Sequence, residues 1–341
     1  MQHTKLKLLL PETKLSRRAP ANFNSNDLSL FVNDMNKTLP EVFLMEYNNI
    51  NVTPESVVWK GIEIAQELLI YPNHTSMYNW KYTISNRVKR RLENLPPGKY
   101  LLCTDYWAAG YFHWICDALP RIFLAKEELV SGTLLMPEQY QFSYYSETLE
   151  AFDIGAIKRI PLKKYFHIHT LIVPGHPAVS GEHHPQLTKN LRSHLINYFA
   201  DFFSGKLNFP NVYISRNKAL YRKVLNEDDL VKVLEKYDFE VIFFEDYNMK
   251  QQIEISYHAR NLISLHGANL TNVLYMQPGG NVMEFRKRND TKNNYYYALA
   301  DSVDCNYYYL DCDYFDRKVG NFFDVVVNIP LFEKNLKQML Q

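Results

Sequence analysis

The sequence predicts an α/β chain built on parallel strands, and three observations carry that prediction. After Gly205, short apolar runs alternate with amphipathic stretches at regular spacing, the pattern of strands joined by crossover helices. A looser version of the same alternation runs from about residue 100 to residue 203. Apolar residues make up 46% of 341, enough for a core in each of two domains of ordinary size.

In chain order, residues 1–50 read as a polar, irregular segment with prolines at 11, 20 and 40. Strands are expected at 100–104, 133–136 and 171–173, and helices at 112–129 and 185–203. Pro120 should kink the first of these helices or end it near Leu119, because its ring clashes with the preceding turn. Beyond Gly205, strands at 212–215, 241–244, 262–265 and 282–285 alternate with helices at 227–237, 250–259 and 268–276. Asn226 followed by Glu227, Asp228 and Asp229 has the form of an N-cap with an acidic first turn. A last helix at 331–340 is expected to pack on the first half. The clustered tyrosines at 295–297 and 307–309 read as strand or core material.

Three segments carry candidate chemistry. Residues 261–272 read Asn-Leu-Ile-Ser-Leu-His-Gly-Ala-Asn-Leu-Thr-Asn, an apolar strand that breaks at His266-Gly267 and opens into a helix. The first N–H groups of such a helix have no internal partners, and its dipole is positive there, so the junction suits a phosphate. His266, Thr271 and Asn272 add polar side chains; the plain alternative is an ordinary junction with a glycine for the turn. Residues 211–226 place Ser215 and Arg216 at the carboxyl end of a strand, with Arg222 and Asn226 in the loop that follows. Open α/β sheets bind ligands at that end, and an arginine fork matches phosphate geometry. Surface charge is the plain alternative for both arginines. Residues 110–121 read Gly-Tyr-Phe-His-Trp-Ile-Cys-Asp-Ala-Leu-Pro-Arg, with His113, Asp117 and Arg121 four apart on one helix face. His113 and Asp117 could act as general base and orienting partner. Equally, Asp117 could pair with Arg121 while His113 fills the core.

In combination these segments resemble glycosyltransferase family 61. Phe112, His113 and Asp117 match its Phe-His-x-x-x-Asp helix, and Ser215, Arg216, Arg222, Asn226 and Glu227 match its Ser-Arg…Arg…Asn-Glu run. His266 through Asn272 match His-Gly-Ala-Gly-Leu-Thr-Asn, and Pro278, Gly279 and Glu284 match the closing Pro-Gly and the strand with its glutamate. The resemblance covers residues 99–310 and is most specific in its later half. Asn269 stands where the family carries glycine, and asparagine is the residue other than glycine that best tolerates positive φ.

The resemblance implies a GT-B-like architecture, two Rossmann-like domains with an interdomain cleft. After the irregular segment 1–50, residues 51–205 would form the acceptor-side domain and 206–330 the nucleotide-sugar domain, with 331–341 a terminal helix. Ser215, Arg216, Arg222, His266, Gly267, Ala268, Asn269, Thr271 and Asn272 would hold the donor, and Glu284 its ribose or sugar. Asp117 or His113 would deprotonate the acceptor hydroxyl, giving inversion at the anomeric carbon. No cofactor or metal is required by this reading. The donor is expected to be a UDP-sugar, the acceptor a glycan or lipid-linked glycan, and the setting capsular or surface polysaccharide synthesis. The rivals are an inactive nucleotide- or phosphate-binding protein of the same fold, and a metal-dependent transferase using Asp311 and Asp313.

Composition bounds the rest. With 38 basic and 37 acidic residues the net charge is +1, which argues against nucleic acid as the main partner. The basic run at 87–91 reads as a solvated helix face, with an anionic membrane or acidic glycan as the minor reading. Cys103, Cys116, Cys305 and Cys312 show no metal spacing, and the first two lie in apolar segments as buried thiols. No signal peptide or spanning segment is read, so the expectation is a cytoplasmic protein with reduced cysteines, with peripheral attachment to the inner membrane face as an option. Asp311-Cys-Asp313 has the form of a manganese motif but is short enough to arise by chance. His167, His169, His183 and His184 could hold zinc, yet no third ligand at fixed spacing can be named.

Overall fold

The computed structural model describes residues 1–71, 76–316 and 322–341. The chain begins β1 (Thr4–Leu10), β2 (Thr13–Ser16), α1 (Leu28–Met35), β3 (Asn36–Leu39), β4 (Val42–Val52), β5 (Val58–Lys60), β6 (Glu63–Ile64), α2 (Trp80–Lys89), β7 (Arg91–Asn94) and β8 (Tyr100–Leu101). It continues α3 (Tyr111–His113), α4 (Leu119–Leu124), α5 (Lys126–Leu129), β9 (Thr133–Pro137), α6 (Ser143–Leu149), β10 (Ala156–Ile160), β11 (Lys164–Pro174) and α7 (Pro185–Phe199). It ends β12 (Asn211–Ile214), α8 (Glu227–Glu235), β13 (Glu240–Ile242), α9 (Met249–His258), β14 (Asn261–Leu265), β15 (Asn281–Lys287), α10 (Tyr295–Ser302), β16 (Asn306–Asp316), β17 (Phe323–Val326) and α11 (Ile329–Met339). These elements fall into two units: Met1–Thr13 with Thr38–Ser180, and Lys14–Lys37 with Gly181–Gln341.

The first unit is a nine-stranded mixed sheet, ordered β10-β9-β8-β11-β4-β5-β6, with β1 beside β4 and β7 beside β11. From β10 to β11 the strands are parallel; β4, β5, β6 and β1 join antiparallel. Tyr47, Ile50, Val52, Phe166, Ile168 and Leu171 fill its core. Numbered along the chain, the parallel strands stand third, second, first, fourth, so the order reverses between β8 and β11. Such a reversal opens a crevice outside the carboxyl ends of the two strands.

The second unit is a six-stranded sheet, β13-β12-β14-β15-β16-β17, parallel except for β17. Its parallel strands stand second, first, third, fourth, fifth, and the order reverses between β12 and β14. Leu230, Leu234, Phe332 and Leu336, from α8 and α11, pack on Ile263, Met283 and Phe285 of the sheet. The early segment containing α1 also belongs here. Phe31 sets its ring edge-on to Tyr297 at 5.2 Å and to Tyr309 at 4.9 Å, and Asn294 donates to the Leu30 carbonyl.

Several expectations need correction. Residues 1–50 are not irregular: the mixed run Val42–Val52 is a long strand whose inward residues are apolar and whose outward ones include Asn48 and Asn49. The division comes after Ser180 rather than 205, because α7 packs on α9 and α10. The last helix lies on α8 and β16 of the second unit rather than on the first half. The helix expected at 112–129 is broken into α3, a single π turn at Trp114–Ala118, α4 and α5. Pro120 is the second residue of α4, directly after the π turn. The helix expected at 268–276 is a 3-10 helix, Ala268–Tyr275.

Candidate active site

In the first unit the polar side chains gather at the sheet's order reversal. The helix after β8 brings His113 and Asp117; the loop after β11 brings Ser180. His113 Nδ1 lies 2.7 Å from Asp117 Oδ2, the Ser180 hydroxyl donates to the same oxygen at 2.7 Å, and Ser180 Oγ is 3.0 Å from Nδ1. In a nucleophilic Ser-His-Asp triad the serine and the carboxylate sit on opposite ring nitrogens. Here both sit at Nδ1, so Ser180 braces the pair and His113 Nε2 remains to take a proton. Asp117 is buried and faces inward, whereas the His113 side chain is 20% exposed. The π turn between them swells the helix by one residue, a distortion that concentrates at functional sites.

The expected alternative for Asp117 does not hold. Arg121 is fully buried and donates instead to the carbonyls of Pro174 and Thr104, tying together the ends of β11 and β8. A second acid, Asp105, lies in the same cluster. One of its oxygens accepts from the Trp107 N–H at 2.7 Å, while Oδ2 is buried with no partner. Burial, and then the Asp117 carboxylate, push its pKa up to about 6. Trp107 stands beside His113, ring centroids 5.5 Å apart, and is 43% exposed.

In the second unit the reversal between β12 and β14 is lined by the two other motifs. Arg216 follows β12, and its guanidinium donates to the carbonyls of Arg222 and Tyr221 at 3.2 and 3.3 Å. Arg222 holds φ at +62°, a conformation costly for a side chain of its size, and stacks its guanidinium over Phe322 and Phe323. Among the described residues no carboxylate pairs with either arginine. Burial lowers both pKa values, and for Arg216 the Arg222 charge adds to it.

Gly267 closes this site. Its backbone is extended, which any residue adopts, so the turn does not demand a glycine. The demand comes from Arg216: a Cβ on Gly267 would lie 2.7 Å from Arg216 Nη1. Among the described residues, three polar atoms here are buried without partners: Arg222 Nε, Asn269 Nδ2 and Thr271 Oγ1. Buried polar atoms in a finished fold are normally satisfied, so these three stand out. Asn272 donates to the Asn269 carbonyl at 3.1 Å and helps shape the turn, while the half-buried Ala268 begins the 3-10 helix.

Other expected site residues have different places. Asn269 is not among the residues with positive φ, so glycine's conformational freedom has no bearing on its side chain. Ser215 is buried and its hydroxyl donates to Glu227 at 2.9 Å, which makes it a brace rather than a ligand. Glu284, expected to reach ribose or sugar, is fully buried. One oxygen meets His266 Nδ1 and the other accepts from the Tyr307 hydroxyl. It therefore orients His266. Asp313 pairs with Arg288 at 3.0 Å, and Asp311 accepts from the Asn289 N–H. His167 and His169 lie side by side on β11, each against an asparagine.

Sequence reasoning missed Ser180, Asp105, Trp107 and Tyr307. Asp105 and Trp107 stand just before the His113 helix, where the end of a strand meets a helix, and that position was the available signal. Ser180 and Tyr307 carry no local pattern.

The family model described as glycosyltransferase 61 matches residues 111–283, just over half of the chain. The match begins at α3 and runs into β15. The chain is also similar to the EGF domain-specific O-linked N-acetylglucosamine transferase of Drosophila melanogaster, 34% identical over 96 residues. That stretch covers 25% of this chain and 18% of the fly protein, so the likeness spans under a fifth of the relative's length.

Proposed function

The chain belongs to glycosyltransferase family 61, and from that membership we propose that it moves a sugar from a nucleotide-sugar donor to an acceptor hydroxyl with inversion. The observation that carries this reading is the pair of half-buried arginines at the β12/β14 reversal, with no carboxylate paired to either among the described residues. Two guanidinium groups, the N–H groups at the head of the 3-10 helix and the unpaired Asn269 and Thr271 atoms make a set of donors suited to a diphosphate. As the sugar–phosphate bond breaks, charge grows on the departing diphosphate, and preorganised donors stabilise it without an obligatory metal. Glu284, gripped in turn by Tyr307, holds His266 at Nδ1, so the ring cannot turn away.

His113 is the proton acceptor in this reading. Asp117 and Ser180 hold its Nδ1, and Nε2 takes the proton as the acceptor oxygen attacks the anomeric carbon in line. The exposed indole of Trp107 offers a flat apolar face on which an acceptor sugar can rest. The GT-B arrangement, a UDP-linked donor and a glycan or lipid-linked glycan acceptor in surface polysaccharide synthesis are parts of the same proposal. N-acetylglucosamine is the first sugar to try, because the fly relative is named for its transfer.

The test is a thermal-shift series with UDP-, GDP- and CMP-sugars on the purified chain and on Arg216→Ala, followed by NMR of the product anomer. One nucleotide class should raise the melting temperature of the unmodified chain and not that of the variant. If no nucleotide raises it, the donor site is misassigned. Binding with no turnover would favour the inactive phosphate-binding rival, and turnover abolished by EDTA would favour Asp311 and Asp313.

A further inference from the structure

Helix α2 is turned inside out. A surface helix ordinarily buries an apolar stripe and shows polar residues to water. On α2 the buried positions are Thr83 and Asn86, and the inward side is a polar network. Tyr82 and Arg90 both donate to Glu55 Oε2, at 2.9 and 2.6 Å, and Arg90 also reaches Asn86. The outward side carries Trp80, Ile84 and Val88, one turn apart, at 53%, 43% and 80% exposure. Met77 just before the helix and Ile62 at the β5–β6 turn are each 62% exposed. Arg87 donates to the Gly61 carbonyl and so ties that turn to the helix. This apolar stripe, with an indole at one end, is not needed by the fold, because α2 is held by its polar side.

The charges on the helix itself all have one sign. Between residues 80 and 92 the charged residues are Lys81, Arg87, Lys89, Arg90 and Arg91, with no acid. Arg90 is spent on Glu55; the other four are exposed. An exposed apolar stripe containing Trp and bordered by Lys and Arg is the pattern of a helix lying in a membrane interface. We propose that the outward face of α2 docks on an anionic lipid bilayer. Trp80, Ile84 and Val88 enter the headgroup–acyl boundary, and Lys81, Lys89 and Arg91 meet the lipid phosphates.

The experiment is co-sedimentation of the full chain with vesicles of phosphatidylcholine alone or with one quarter phosphatidylglycerol. The chain should pellet with the anionic vesicles, and more weakly as salt is raised. Trp80→Glu with Val88→Glu, both at exposed positions, should fold as judged by circular dichroism and lose binding by about tenfold or more. Phe142→Glu, an exposed aromatic elsewhere on the same unit, should bind as the unmodified chain does. The proposal is overturned if the chain stays in the supernatant, if the double variant still pellets, or if Phe142→Glu is equally impaired. It is also overturned if light scattering shows a dimer that the double variant dissolves while vesicles are ignored, since the face would then join two copies of the chain.

Discussion

Each unit holds a histidine against a carboxylate at the point where its sheet order reverses, and the two pairs are built differently. His113 and Asp117 sit one helical turn apart, and a single carboxylate oxygen receives both the ring and Ser180. His266 and Glu284 face each other across adjacent strands, and the carboxylate is gripped on both oxygens, by the ring and by Tyr307. Their surroundings carry opposite imbalances. Around His113 there is an acid to spare, Asp105, with one oxygen unpartnered. Around His266 there are cations to spare, Arg216 and Arg222. A site rich in carboxyl groups suits movement of a proton, and a site rich in half-buried guanidinium groups suits a developing phosphate charge.

That contrast can be broken most forcefully at His113. His113→Ala should lower kcat by about 100-fold or more and leave nucleotide affinity nearly unchanged. Asp117→Asn added to it should cost little further, because the two act as one unit. If nucleotide affinity falls as much as kcat, the division of labour between the units is wrong. Arg216→Ala should have the complementary signature: calorimetric affinity for a nucleoside diphosphate weaker by roughly 2 kcal/mol, about 30-fold, with the fold intact.

Asp105 sharpens the contrast through stability. Its folded pKa, about 6, is above the unfolded value, so the folded chain holds this proton more tightly. Stability from this group therefore falls as pH rises from about 4 to about 6, and the cost is complete above that. Asp105→Asn removes the charge while keeping an acceptor for the Trp107 N–H. The variant should be more stable at pH 8 by on the order of 2 kcal/mol, and the gap should close below about pH 4. Melting curves at several pH values check this; a gap that does not vary with pH would mean that Asp105 has the same pKa folded and unfolded. The smallest effect is expected from Gly267→Ala. The methyl group would displace the Arg216 guanidinium, an end that can move, so diphosphate affinity should drop by about 1 kcal/mol or less with no loss of fold. A larger loss of melting temperature than of affinity would mean that the glycine serves the turn after all.

Sequence reading was strongest where a motif and an element boundary coincide. The second unit's parallel strands alternate with helices at near-regular spacing, and Arg216, His266 and Gly267 follow their carboxyl ends. It was weakest where residues far apart in the chain meet. Glu284 lies on a central strand, and nothing local distinguishes a carboxylate that meets ligand from one enclosed by His266 and Tyr307. Ser180 comes from a loop 63 residues beyond Asp117. β4 was overlooked because Glu46, Asn48 and Asn49 interrupt its apolar alternation. Local pattern reports secondary structure and the ends of strands; the closure of a hydrogen-bond network is a long-range property.

The second unit is assembled from two pieces of chain, and that has a consequence for its birth on the ribosome. Residues 14–37 emerge well before their partners, since the tyrosines that receive Phe31 lie at 297 and 309. At 5–20 residues per second the early segment waits roughly 15–55 s for its partners. During that interval the first unit can complete its sheet, while Phe31 and Leu30 stay in water. The second unit is thus closed by a strap made long before the rest of it. Synthesis from residue 181 onward alone would leave the faces of Tyr297 and Tyr309 uncovered, an invitation to aggregate that the complete chain avoids.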